Sequence, residues 1–476
     1  MTEEVWRLDA RTVVGLLARR ELSPLDAVEA ALGRIGAVDG RVNAVPTLDA
    51  ERARARARRF MMEPPQPHGD GRGWLAGLPV LVKDLVDVAG LRTTYGSPIY
   101  GEHVPKDSAI EALRLERQGA IILGKTNTPE FGAGGNTFNE VFGPTRNPWR
   151  LDLTAGGSSG GAAAALASGM AWLCDGSDVA GSLRTPAAFC GVVGLRPSPG
   201  RVPQGPSPLP FSPLAVEGPM ARNVRDLALL LDAMAGFDPL DPLSFDAPAE
   251  PFEAAVERVP PTLKVAFSAD LGGITPVDGE VAGACERAAA RLAEMGAEVV
   301  EDRCPDFAGA GEAFLALRAA HYAATKGPLL EGHRARLKPE VVWNIERGLA
   351  LTPDELGAAE RARGRIVADA CRFFRDFDLL LCPATIAPPF AVERRWLEAL
   401  GEHRFDTYVD WLLIASAITL TGCPALSLPC GFTRDGLPVG LQMVAPPRGE
   451  ARLLAVAAAL EDALGLAGRV PVEPAA

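Results

Sequence analysis

The sequence predicts an α/β protein in which one large mixed, mainly parallel sheet is covered on both faces by helices. Two strand–helix–strand repeats carry that expectation. In the first, Leu78-Pro79-Val80-Leu81-Val82 is a short apolar run ending at Lys83. Asp107-Ser108 with Glu111 signals a helix reaching Gln118, Gly119 closes it, and Ala120-Ile121-Ile122-Leu123-Gly124 is a second buried run. In the second repeat, Leu263-Lys264-Val265-Ala266-Phe267 leads into helical periodicity over residues 277–295, then Gly296 and Glu298-Val299-Val300. Alternation of this kind lays strands side by side with helices crossing over their faces.

The other elements follow along the chain. Asp9 with Val13, Val14, Leu16 and Leu17 reads as an amphipathic helix. Ser23-Pro24-Leu25-Asp26 opens another, with a cap, a first-turn proline and an acid able to answer the cap. Pro64, Pro65, Pro67 and Gly69-Asp70-Gly71 mark a loop. Residues 203–213 and 238–251, rich in Pro and Asp, read as linkers, and 305–375 as a mostly helical, charge-rich insertion. Short strands resume at Leu379-Leu380-Leu381-Cys382 and Ala425-Leu426-Ser427-Leu428, before a helix over 451–464.

Composition narrows the function. Sixty acidic residues against 48 basic ones give a formal net charge of −12. Nucleic acid and anionic membrane surfaces require concentrated positive charge, so small molecules are the expected ligands. Met1-Thr2-Glu3-Glu4-Val5-Trp6 lacks the basic start and apolar core of a secretory signal. The weakly polar stretch 162–174 falls short of the roughly 20 residues of a membrane helix. A soluble, cytoplasmic protein is expected. The eight cysteines show neither CxxC pairing nor zinc-spaced histidines, and read as reduced core thiols with no metal.

The chemistry concentrates in two loops. Gly156-Gly157-Ser158-Ser159-Gly160-Gly161 is a glycine-rich turn entering an alanine run, where the free N–H groups of a helix start favour an anion or a developing oxyanion. A phosphate loop of the Walker type would need Gly-Lys-Ser/Thr, which is missing. Gly176-Ser177-Asp178-Val179-Ala180-Gly181-Ser182-Leu183-Arg184 follows the apolar run Ala171-Trp172-Leu173-Cys174 and presents Ser182 at its exit.

With Pro186-Ala187-Ala188-Phe189-Cys190-Gly191-Val192-Val193-Gly194-Leu195 behind them, these loops resemble the amidase signature family. The likeness extends to Leu78 through Asp84, Lys125-Thr126-Asn127, Gly143-Pro144-Thr145-Arg146-Asn147-Pro148-Trp149, Gly218-Pro219-Met220-Ala221-Arg222 and Gly436-Leu437-Pro438-Val439-Gly440-Leu441-Gln442. It covers the chain from about residue 10 to 460, apart from the insertion. The resemblance implies a single amidase domain over 1–476: scaffold helices in 1–70, a catalytic core in 71–235, a substrate-region insertion in 305–375 and completion of the sheet in 376–470. It implies Ser182 as nucleophile, Ser158 as bridging serine after a cis Gly157–Ser158 bond, and Lys83 as base. Backbone N–H groups of Val179, Ala180, Gly181 and Ser182 would face the oxyanion, with Ser159, Asp178 and Arg184 in support. No cofactor is implied; water and a small amide are the partners, and a homodimer is left open.

The residue types suit that chemistry. A serine hydroxyl is a poor nucleophile until a neighbour takes its proton, and lysine does so only when neutral. Burial beside the apolar run 78–82 would bring Lys83 down from its ordinary range, and Ser158 could pass the proton between Ser182 and Lys83. A Ser-His-Asp triad would need His68, His103, His321, His333 or His403, none of which lies in a motif.

Two positions depart from the family pattern. Ala180 replaces a glycine, which would reshape the oxyanion turn if positive φ were needed there. Thr419 stands where many relatives have Asn. The motifs resemble stand-alone bacterial amidases, including aminohexanoate cyclic dimer hydrolases and aryl or aliphatic amidases, more than the glutaminase subunit of tRNA-dependent amidotransferase, which is the alternative. Phe131, Gly134 and Gly135 are expected to bind substrate, with Phe138 and side chains from 310 to 350, such as Trp343 and Asn344, as further wall candidates.

Overall fold

The computed structural model describes residues 2–67 and 69–475; His68 lies outside them. Among the described residues, eleven strands share one sheet. They are β1 (Thr47–Leu48), β2 (Pro79–Lys83), β3 (Ile121–Thr126), β4 (Leu173–Asp178), β5 (Val193–Arg196), β6 (Val216–Ala221), β7 (Lys264–Phe267), β8 (Glu298–Glu301), β9 (Leu379–Pro383), β10 (Ala425–Phe432) and β11 (Pro438–Val444), in the order β1-β3-β2-β4-β6-β5-β10-β11-β9-β7-β8. The sheet is mixed. Parallel pairing holds toward the two flanks, where β3, β2 and β4 run together and β9, β7 and β8 run together. From β4 across to β9 the pairing is antiparallel. Each strand–helix–strand repeat thus builds one flank. Strands β2, β9 and β11 are buried along their whole length, which is why they read as continuous apolar runs.

The helices are α1 (Ala10–Ala18), α2 (Pro24–Val42), α3 (Ala50–Met62), α4 (Ile110–Arg117), α5 (Gly160–Ala167), α6 (Arg184–Cys190), α7 (Val224–Met234), α8 (Gly279–Glu294), α9 (Ala310–Lys326), α10 (Pro339–Ala350), α11 (Pro353–Phe373), α12 (Leu413–Thr421) and α13 (Glu450–Leu464). Asp9 caps α1 by accepting the Thr12 N–H at 2.7 Å. Ser23 and Asp26 cap α2 reciprocally, at 3.1 and 3.3 Å. The expected cap of α4 is not formed. That helix begins after Ala109, with no side-chain cap, because the Ser108 hydroxyl accepts the Ala89 N–H at 2.9 Å.

Helix α5 consists of small residues plus Leu166 and is buried on every side, wedged against β2, β3 and β4; only side chains this short let a helix sit so deep. The two segments read as linkers do not separate bodies. The Gln204 N–H donates to Asp241 Oδ2 at 3.0 Å, stapling one to the other. The insertion is helical as expected, supplying α9, α10 and α11. Six cysteines are buried thiols, whereas Cys304 is half-buried and Cys371 is exposed. No described helix is long and apolar enough to cross a membrane.

Candidate active site

Strand β2, third from one edge of the sheet, ends at Lys83, which is fully buried. Its backbone N–H donates to Asp175 Oδ1 on β4 at 2.6 Å, fixing the end of the strand. Its Nζ lies 2.7 Å from Ser158 Oγ, 2.8 Å from Ser159 Oγ and 2.9 Å from Ser177 Oγ. Burial pushes Lys83 down to about 8, against the pull of Glu217, Asp175 and Asp178. Lys125 is buried and pushed to about 8 as well, but its Nζ donates to the Val86 carbonyl and meets no serine. Geometry, rather than the shift, singles out Lys83.

The Gly157–Ser158 bond is cis, and Ser159 begins α5. Ser158 and Ser182 border the same cleft of about 580 Å³. The two loops are joined by the Ser159 N–H, which donates to the Ser182 carbonyl at 3.2 Å. Ser158 Oγ is hydrogen-bonded to Lys83, and the Ser182 hydroxyl has no hydrogen-bond partner among the described residues.

Behind Ser182 the loop is held by charge. Asp178 accepts the N–H groups of Gly181 and Leu183 at 2.9 and 3.0 Å, and pairs with Arg184 at 2.8 and 3.1 Å. Burial alone would raise this carboxyl; Arg184 and Arg196 outweigh it and hold it well below the usual range. Arg184 has five N–H donors and all are engaged. Two reach Asp178, and the others meet Ala415 O at 2.9 Å, Gln442 Oε1 at 2.5 Å and Thr419 Oγ1 at 3.0 Å. Thr419 therefore has a structural account: its hydroxyl supplies the acceptor for the last donor.

The expectation for the oxyanion turn needs correcting at Gly181. Its N–H is consumed by Asp178, whereas those of Val179, Ala180 and Ser182 have no acceptor among the described residues. Positive φ falls at Gly181, at +103°, and a Cβ there would stand 2.6 Å from the Ala415 Cβ. Ala180 is not among the positive-φ residues, so its methyl is accommodated without reshaping the turn.

Phe131 and Gly134 line the cleft, but Gly135 does not: it lies beneath Trp411, 2.3 Å from Cζ2 to an added Cβ. Phe138, Trp343 and Asn344 are also off the wall. Phe138 lies under Lys338, Trp343 packs on Tyr408, and buried Asn344 bonds Arg318. His103 and His321 border the cleft, yet neither hydrogen-bonds a serine hydroxyl.

The residue reading missed two groups. Ser177 is a third hydroxyl on Lys83; its spacing of two from Asp175 on one strand, putting both on Lys83's side, was the available signal. Glu217 stands directly across from Ser177 in the β4–β6 ladder, borders the cleft, and is pushed well above its usual range by burial. The wall expected from residues 310–350 is supplied by the face of α9 bearing Arg318, His321, Tyr322 and Lys326, which lines the cleft.

This is an α/β enzyme scaffold with a serine-rich site around a buried lysine. The family model described as Amidase matches residues 26–454. An acylamidase from Rhodococcus erythropolis is 36% identical over 479 residues, covering 99% of each chain. A glutamyl-tRNA(Gln) amidotransferase chain from Thermus thermophilus is 40% identical over 480 residues, covering 95% of this chain and 97% of that one. A bacterial aryl acylamidase of the amidase signature enzymes superposes with a TM-score of 0.88 at 29% identity, covering 98% of this chain and 99% of that one. The chain belongs to the amidase signature family, and it hydrolyses amide bonds.

Proposed function

We propose that this chain is a stand-alone amidase of cytoplasmic small molecules, acting as one catalytic unit through an acyl-enzyme on Ser182. The observation that carries this reading is the fully buried Lys83 Nζ, within 2.9 Å of three serine hydroxyls, two of which, Ser158 and Ser177, line the cleft that Ser182 shares.

A neutral amine has two N–H donors and one lone pair, so among three hydroxyls one must donate to it. Ser159 Oγ directs its proton toward the Ser177 carbonyl at 3.4 Å, which leaves Ser158 free to donate to Lys83. Ser182 Oγ then attacks the carbonyl carbon, its proton passes to Ser158 Oγ, and the Ser158 proton passes to Lys83. The N–H groups of Val179, Ala180 and Ser182 receive the oxyanion; losing one such donor costs on the order of 10² to 10³ in rate. Return of the proton to the nitrogen releases ammonia or an amine. Water repeats the attack on the ester and frees the acid.

The amidotransferase relative, at 40% identity, supports a second reading as the glutaminase of a larger assembly. Purified chain incubated with a panel of aliphatic, aryl and cyclic amides, without ATP or partner proteins, distinguishes the two. Release of ammonia or amine by the chain alone is expected; glutaminase activity that arises only with partner proteins would replace the first reading with the second.

A further inference from the structure

The geometry points to a carboxylate-binding subsite on the α9 wall of the cleft, so that the preferred substrate is an amide bearing a free carboxylate away from the scissile bond. The inference deepens the amidase reading and rests on it.

Arg318, His321, Tyr322 and Lys326 are spaced 3, 4 and 8 residues from Arg318 along α9, which puts them on one helix face, and all four border the cleft. Arg318 is 4% exposed. Its guanidinium donates to Asn344 Oδ1 and stacks over Tyr322 and Tyr408 at 4.7 and 5.2 Å, but pairs with no carboxylate among the described residues. A charge this deeply buried ordinarily has a counter-charge, because taking an ion out of water is costly. Arginine carries five donors in a flat fork, a shape that matches a carboxylate in two parallel hydrogen bonds.

The neighbours strengthen the case. Lys326 lies 4.9 Å from the Phe131 ring centre and has no ion pair among the described residues. Asp87, the acid whose charge reaches it, instead accepts the Tyr95 hydroxyl at 2.6 Å. The buried Nδ1 of His321 has no partner, and burial, then Arg318 and Lys326, push that imidazole down to about 4. Arg318 and Lys326, neither of them in an ion pair among the described residues, therefore make this wall basic. The acids that border the cleft are Glu217 on β6, Glu111 on α4, and Asp87 and Asp107 in the loops before α4.

The carboxylate could belong to the acyl part or to the leaving amine, and two substrate pairs separate these sources. Adipamate is compared with hexanamide, and N-hexanoylglycine with N-ethylhexanamide, in wild type, Arg318→Gln and Arg318→Lys. One carboxylated member is expected to exceed its neutral counterpart in kcat/KM by about tenfold or more through KM, with that ratio collapsing in Arg318→Gln and partly kept in Arg318→Lys. Calorimetric binding of the same compounds to Ser182→Ala, with and without Arg318→Gln, reads the subsite apart from turnover. Equal kcat/KM for both members of each pair, or equal losses on both in Arg318→Gln, would overturn the subsite while leaving the amidase intact. If no compound is turned over, the amidase reading fails, and the binding arm still decides the carboxylate.

Discussion

Around Ser182, the residue whose chemistry leaves least freedom is Arg184, because all five of its donors are engaged and they reach three separate parts of the molecule. It ties the loop carboxylate of Asp178 to α12 and to Gln442 on β11, so the nucleophile's position depends on three elements at once. At the other end of the site, Lys83 must be neutral to accept a proton. With its value pushed to about 8, kcat/KM should rise as pH increases through about 8 and then level off. A pH profile that is flat from 6 to 9, or that falls on the alkaline side, contradicts Lys83 as base. The two neighbouring loop positions should behave oppositely. Ala180→Gly is expected to cost only about 0.5–1 kcal/mol of stability and to keep activity. Gly181→Ala, forced into positive φ against Ala415, should lose about 1–2 kcal/mol from the backbone alone, more from the clash, and most turnover. Denaturant midpoints and initial rates for the pair check this.

At the scale of elements, the cleft is a meeting of the sheet's strand ends with the inserted helices. Helix α10 fits against α9 at Gly348, where an added Cβ would meet the Ala319 carbonyl oxygen at 2.0 Å. Gly348→Ala should therefore push the two helices apart, at about 1–3 kcal/mol, and raise KM more than it lowers kcat, since α9 forms the wall but not the relay. Unchanged stability and KM would mean the pair is not close-packed. This level also shows what could be read from residues alone. Glycine-serine loops and apolar runs ending in Lys83 are local signals, so β2, β4, α5 and both serines were legible. The cap at Asp107-Ser108 was not, because the strand's exit loop competes for the Ser108 hydroxyl. Nor was the antiparallel centre of the sheet, because the pairing of β10 with β5, of β11 with β9 and of β4 with β6 joins segments far apart in the chain and leaves no local period. The wall was the least legible part. Phe131, Gly134 and the 310–350 stretch were read as wall, but Gln204 to Pro208 are brought to it only by the fold, and Gly135 was misread because the Trp411 that covers it lies far along the chain.

For the whole molecule, burial of carboxyls sets a pH dependence of stability. Asp175, Asp226 and Asp232 are pushed up to about 6, and Glu111 and Glu461 to about 8, all chiefly by burial. Each binds its proton more tightly folded than unfolded, so its contribution is greatest below the unfolded value and is lost as pH rises through the folded one. Asp178, held low, acts in the opposite sense and contributes above its ordinary value of 3.8. The melting temperature should thus be highest near pH 5 and fall toward pH 8, and Glu111→Gln should flatten the upper part of that fall. A melting temperature that climbs steadily from pH 5 to 8 would contradict this balance. Beneath the cleft, one buried layer therefore holds a lysine whose proton burial has loosened beside Asp175, Glu111 and Glu217, whose protons burial tightens. The most direct test of what that layer is for is the mass of the enzyme quenched during turnover of an aryl amide, followed by peptide mapping. An acyl adduct is expected on the peptide carrying Ser182, absent in Ser182→Ala and in Lys83→Ala; an adduct on another residue, or full turnover in Ser182→Ala, would contradict Ser182 as the nucleophile.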